Sequence, residues 1–235
     1  MMHKKSLLLT LILLCNTVVY AQKKERIKGN KIVTTQETPI NSFNKILVGE
    51  DFFIDIIEGE NASVFVEADE NLHDVIKFNV SDSVLSFKTT KRITSSKKLS
   101  IKVIYTNSLK DIETIDDGEI SSLTSINLDD VSVKSSGTSK AFLNIKSQNF
   151  NLTSSDRARV KLNVTANETK FELSDNSKLD ALINADRMLI DLYQRSDAKV
   201  RGNLDKLKIR ASNSSNVEGK ELVSINCEIL SEDSS

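Results

Sequence analysis

Acidic residues crowd the middle of the chain, where Asp116, Asp117, Glu119, Asp129 and Asp130 lie close together in sequence. Two carboxyls can hydrolyse a glycosidic bond when one is held protonated and the other faces it across a cleft at fixed separation. Asp116, Asp117 or Asp130, with a nearby Lys or Arg, would supply that chemistry to a polysaccharide-active enzyme or an accessory carbohydrate-binding protein. No neighbouring apolar stretch marks the pocket such an acid needs. Calcium would need six to eight oxygens at about 2.4 Å, usually from a defined loop. The run DDGE lacks the alternate-position spacing of such a loop, so no cofactor is read from it. Acidic turns are more often simply solvated.

The basic loop TTKRITSSKK carries Lys91, Arg92, Lys97 and Lys98. Lys91 and Arg92 would suit an acidic glycan or a lipid headgroup, though such hairpin loops are commonly only wet faces. His73 is the sole histidine after the first few residues, which excludes a His-rich metal site and leaves any Ser-His-Asp triad dependent on it. Its context, ENLHD, carries no nucleophile motif and reads as a surface loop. Cys227 shares alternation with Val223, Ile225 and Ile229, which reads as a small buried residue rather than a reactive thiol. No glycine-rich phosphate loop occurs at a strand–helix junction. No catalytic set emerges.

What would position these residues is a repeat. VSVKSSGTSKAFLNI from Val131, FNLTSSDRARVKLNV from Phe150, FELSDNSKLDALINA from Phe171, IDLYQRSDAKVRGNL from Ile190 and LKIRASNSSNVEG from Leu207 align, with a looser copy at Ile112. The starts are spaced by 19, 19, 21, 19 and 17 residues. A fixed period of this size marks a solenoid whose units bury their apolar edges by stacking. Alternation puts Val131, Val133, Ala141, Leu143 and Ile145 inside and Lys134, Lys140 and Lys146 outside. Six coils at about 4.8 Å give a column of about 24 Å. Each copy passes through a corner of Ser, Gly, Asp and Asn, residues that bond their own backbone or tolerate left-handed geometry. Asn144, Asn163, Asn184 and Asn203 fall near one register and predict an amide ladder.

Residues 27–111 read as short antiparallel strands that cap one end, with hairpins over Phe52–Ala68 and Ile76–Phe87, a polar loop from Thr89 to Lys98, and one helical turn in ENLHDVIKF. Residues 112–221 are the coils, and 222–235 supply a last strand and a charged tail that cap the other end. The predicted fold is all-β: a right-handed parallel β-helix of about six coils in a single domain over 22–235. The start, MMHKKSLLLTLILLCNTVVYAQ, has the basic region, apolar run and small-x-small site of a signal peptide cleaved after Ala21. No later stretch is apolar enough to span a bilayer as a helix. Removing Lys4 and Lys5 with the leader takes the net charge from −1 to −3, too balanced for nucleic acid. Only Cys227 would remain, so no internal disulfide forms.

The mature chain resembles the secreted Bacteroidetes-type proteins with an autotransporter-adhesin head GIN domain. The resemblance rests on NSFNKILVGEDFFIDIIEGENASVFVEAD, SDSVLSF, LSIKVIYTNSLKDIETIDDGEI and coils such as VSVKSSGTSKAFLNI. Corner glycines of that pattern remain at Gly118 and Gly137 and are replaced by Asp156, Ser177, Ser196 and Asn213. The resemblance implies a right-handed β-helical domain at the cell surface that acts in adhesion. The leader, the regular coil and the lack of a catalytic set give a non-enzymatic domain, secreted or in the cell envelope, that binds glycans or surface proteins; beside it stands a structural envelope protein whose partner is another copy of itself or a neighbouring component.

Overall fold

Alternating runs of apolar and polar residues recur between Lys140 and Ala211 and call for strands with one dry and one wet side. The computed structural model, which describes residues 24–233, contains them; the leader and its cleavage point after Ala21 lie outside those residues.

The first half of the chain forms β1 (Arg26–Lys28), β2 (Val33–Pro39), β3 (Lys45–Val48), β4 (Phe53–Glu58), β5 (Ser63–Asp69), β6 (Ile76–Ser81), β7 (Val84–Thr89), β8 (Arg92–Ser95) and β9 (Leu99–Tyr105). A 3₁₀ turn at Glu70–Leu72 is the helical turn expected in ENLHD. β6 and β7 form the expected antiparallel hairpin. Its two-residue turn, Asp82-Ser83, has φ of 51° and 62°, a backbone twist that matches the twist of the strands it joins. The hairpin expected over Phe52–Ala68 does not form. β9 pairs parallel with β4 and antiparallel with β5, and so lies between them. The expected loop at Thr89–Lys98 contains β8, which pairs with β1.

The second half forms β10 (Asp111–Thr114), β11 (Glu119–Ser122), β12 (Ile126–Asn127), β13 (Asp130–Ser135), β14 (Lys140–Ser154), β15 (Arg159–Leu173), β16 (Lys178–Leu192), β17 (Asp197–Ala211), β18 (Asn216–Glu218) and β19 (Leu222–Ser231). All pair in parallel, each with the strand one coil on, in a β-solenoid of about six turns. Within β14 to β17 the register skips one residue at Gln148, Asn167, Asp186 and Asp205. There the inward set changes phase, from Ala141, Leu143 and Ile145 to Phe150 and Leu152, so each strand folds around the core as two arms.

One interior column runs Leu85, Ile46, Ile112, Val133, Leu152, Phe171, Ile190, Ile209, Ile229. Between Val133 and Ile209 its members are 19 residues apart, and Ile112 precedes Val133 by 21. The repeat starts read from sequence mix this column with the adjacent one, because a two-residue slip keeps every side chain on its face. The column also extends beyond the coils. β3 and β4 stack under β10 and β11, and β7 and β9 stack under those. Nine layers make a column of about 38 Å rather than 24 Å. The antiparallel strands β2, β5 and β6 close its N-terminal end.

The expected last strand is β19, and its outer side is open among the described residues. Val223, Ile225 and Ile229 are 64%, 77% and 63% exposed, and Cys227 is exposed as well. Cys227 and Ile229 continue interior columns, but among the described residues no further layer covers them.

Candidate functional site

The corners are the most regular feature of the surface. Glu50, Asp116, Gly137, Asp156, Asp175, Gln194 and Asn213 all have positive φ, from 51° to 71°, and stack one per layer. Four of their side chains reach back to the layer before. Asp156 Oδ2 accepts from the Gly137 amide at 2.9 Å, Asp175 Oδ2 from Asp156 at 3.2 Å, and Gln194 Oε1 from Asp175 at 2.5 Å. Glu50 repeats the step, accepting from the Thr89 amide and hydroxyl. Burial tends to raise the Glu50 pKa, but these donors and Lys24 at 2.7 Å prevail and hold it below the usual carboxylate value. Ser177 and Ser196, read from sequence as corner residues, lie two positions further on. They are buried and donate back to the Ser174 and Tyr193 carbonyls, as Ser215 does to Ser212.

Asp116 thus stands in the column of left-handed corners, its backbone carbonyl accepting from the Thr138 amide and hydroxyl, and Asp117 beside it accepts from the same hydroxyl. Asp130 is elsewhere. It opens β13, accepts from Asn149 Nδ2 at 2.8 Å, and borders a shallow groove of about 860 Å³ across the second arms of the coils. Lys91 and Arg92 are at the N-terminal end, where Lys91 pairs with Glu25 at 2.9 Å and Arg92 lies in β8. The structure thus brings Asp116 and Asp117 together and leaves Asp130 and the Lys91–Arg92 pair on separate surfaces. Among the described residues no three His, Cys, Asp or Glu side chains converge as a metal would require. His73 is half-buried rather than free, with Nε2 3.0 Å from the Thr34 hydroxyl.

The groove beside Asp130 is what sequence reasoning did not assemble. Its members are 19 or 20 residues apart, so only the column register shows them as neighbours: Asn149, Glu168, Arg187, Lys206 and Asn226 in one row, Asn151, Lys170, Leu189, Lys208 and Glu228 in the next. Arg187 pairs with Glu168 at 2.9 Å and Lys208 with Glu228 at 2.8 Å. Lys170, beside Asn151, and Lys206, beside Asn226, are not ion-paired among the described residues, and the four cations of the groove exceed its carboxylates Asp130, Glu168 and Glu228 by one charge. The opposite face carries analogous rungs, Asp180–Arg201 at 2.6 Å and Lys199–Glu218 at 3.4 Å. The expected asparagine ladder is two short pairs in adjacent columns, Asn144 beside Asn163 and Asn184 beside Asn203. Asn203 Nδ2 donates to Asn184 Oδ1 at 3.1 Å.

A parallel column with a dry interior, ladders of polar side chains and broad open faces defines a β-solenoid. The chain belongs to the family described as putative auto-transporter adhesin, head GIN domain, whose model matches residues 42–182 and 151–235. The two matches overlap, as a stack of similar coils allows. Solved structures share the fold. A putative adhesin from Parabacteroides distasonis has TM-score 0.64 at 17% identity, covering 89% of this chain and 100% of its own. One from Bacteroides fragilis has TM-score 0.59 at 19% identity, covering 87% and 100%. A putative lipid binding protein from Parabacteroides distasonis has TM-score 0.62 at 14% identity, covering 89% and 100%. No curated protein matches the sequence. Among the described residues no helix is long and apolar enough to cross a membrane.

Proposed function

We propose that the protein is a non-enzymatic adhesin-like binding domain, exported by the leader cleaved after Ala21 and acting in the cell envelope or outside it. Its ligand is an anionic glycan, free or carried on a surface protein. The observation behind this reading is the groove beside Asp130, where Lys170 stands next to the Asn151 amide and Lys206 next to the Asn226 amide, neither ion-paired among the described residues. Amides exchange hydrogen bonds with sugar hydroxyls, and ammonium groups attract carboxylate or sulfate. The open groove suits a polymer that lies along it. Family membership and adhesin-named structural neighbours support the class of function; the glycan rests on the groove.

The test is retention of purified Gln22–Ser235 on an array of neutral and acidic polysaccharides, with and without calcium, reading new sugar ends in the same wells. Retention on acidic polymers should weaken about tenfold, equivalent to about 1.4 kcal/mol, in Lys170→Glu and again in Lys206→Glu. New sugar ends would replace this reading with a hydrolase. Absence of retention on every polymer would remove the glycan.

A further inference from the structure

The two ends of the column treat their edge strands differently. At the closed end β2 pairs only with β5 among the described strands, and it is short of apolar residues: after Val33 it reads TTQETP, with Pro39 at its tip. Polar side chains and proline are how natural sheets keep an edge from pairing. At the open end β19 spans ten residues, LVSINCEILS, and pairs only with β17 among the described strands. Nothing in its apolar content blocks a further strand. Leu222, Cys227 and Ile229 face a cavity of about 650 Å³ whose floor is Leu207, Ile209 and Val217.

The charges decide which kind of strand would fit. From Glu221 to Asp233 the chain has four carboxylates and no Lys or Arg. A second copy docking β19 against β19 would set this acidic segment against itself. On its inner side β19 already shows what it accepts: Lys206–Ala211, KLKIRA, lies beside it in register. Leu207 stands by Cys227, Ile209 by Ile229, and Lys208 bonds Glu228 at 2.8 Å. The outer edge offers the same side chains to the next layer.

We propose that β19 is a docking edge for an extended strand from another protein, apolar on alternate residues and carrying Lys or Arg between them. Backbone hydrogen bonds along β19 would supply affinity, and the apolar cavity with Glu228 would fix register and choice. The incoming strand completes the dry interior over Cys227 and Ile229.

The probe is a synthetic peptide with the sequence of residues 204–212, added to purified Gln22–Ser235 and followed by binding and by amide hydrogen exchange. Binding is expected in the range of about 10–100 μM, with slowed exchange across 223–230 and none across 33–39. A peptide of the same composition with its alternation scrambled should not bind, and Glu228→Lys should weaken the native peptide. Phe53→Lys, exposed on β4 and away from β19, serves as the folded control and should bind as the parent does. Equal binding of the scrambled peptide, or no slowing of exchange on β19, overturns the proposal. So does a concentration-dependent dimer that protects β19 without peptide, because the occupant is then a second copy. Glu228 also borders the groove beside Asp130, but peptide binding and the protection of β19 are read with no glycan present, so they stand or fall apart from the glycan reading.

Discussion

Gly202 and Asp69 show how single positions hold the two ends of the column. Gly202 has φ of 116°, and a Cβ there would sit 2.0 Å from the Ile183 carbonyl oxygen of the coil below. Neither the backbone angle nor the space admits a side chain. Gly202→Ala should lose about 2–4 kcal/mol, read as a lower urea midpoint. Asp69 is fully buried and accepts from the Lys31, Lys97 and Lys98 amides at 3.0–3.2 Å, tying three segments of the closed end together. Burial alone would raise its pKa, but the three amides outweigh it and leave the pKa below its ordinary 3.8. The unfolded chain therefore binds this proton more tightly than the folded one. The stabilisation is complete above the ordinary value and is lost as pH falls through the lower folded one. Thermal melts of Asp69→Asn should show reduced stability near neutrality and a flatter decline between pH 5 and 2 than the parent.

The corners test whether left-handed geometry or chemistry selected their residues. Asp156, with φ of 58°, supports both a turn and a bond to Gly137. Asp156→Val should cost about 1–2 kcal/mol, because a β-branched residue resists this region. Asp156→Gly relieves the backbone while losing the bond, and should fall within about 1 kcal/mol of the parent. Denaturation of the two variants side by side separates the contributions.

The same elements show what the sequence made visible. Face and period were legible, because apolar alternation is local and survives between Lys140 and Ala211. Register was not, since Phe150 aligns with Phe171 as plausibly as with its true neighbour Thr169. β4 and β5 looked like a hairpin because both alternate, and nothing local announced that β9, some forty residues later, would come between them. Cys227 was read as buried because alternation marks an inward position and cannot say whether another layer lies above it. The groove was illegible for a related reason: Asn151, Lys170 and Lys208 become neighbours only once the columns are known.

Taken together, the coils act as layers that contact mainly their nearest neighbours, so the column should tolerate losing one. Deleting residues 159–177 joins Ala158 to Lys178 and sets β14 directly against β16, in the register each already shares with β15. The shortened protein should keep its β circular dichroism and a cooperative melt at lower temperature. Loss of folding would mean the layers are not interchangeable.

The joins at the two halves differ in how far apart in sequence their partners are. Lys45 lies beside Asp111, whereas Lys140 lies beside Arg159. Closing a long loop costs more entropy than closing a short one, and pairings between distant segments slow folding. Chain that is made, or threaded across a membrane, from its N-terminus presents β3 and β4 long before β10 and β11 exist to cover them. The repeating coils can each zip onto the last after only nineteen more residues. Refolding should accordingly be biphasic, with early amide protection in β14–β17 and later protection in β3, β4, β7 and β9. The closed end of the column, first to emerge, would be the last to set.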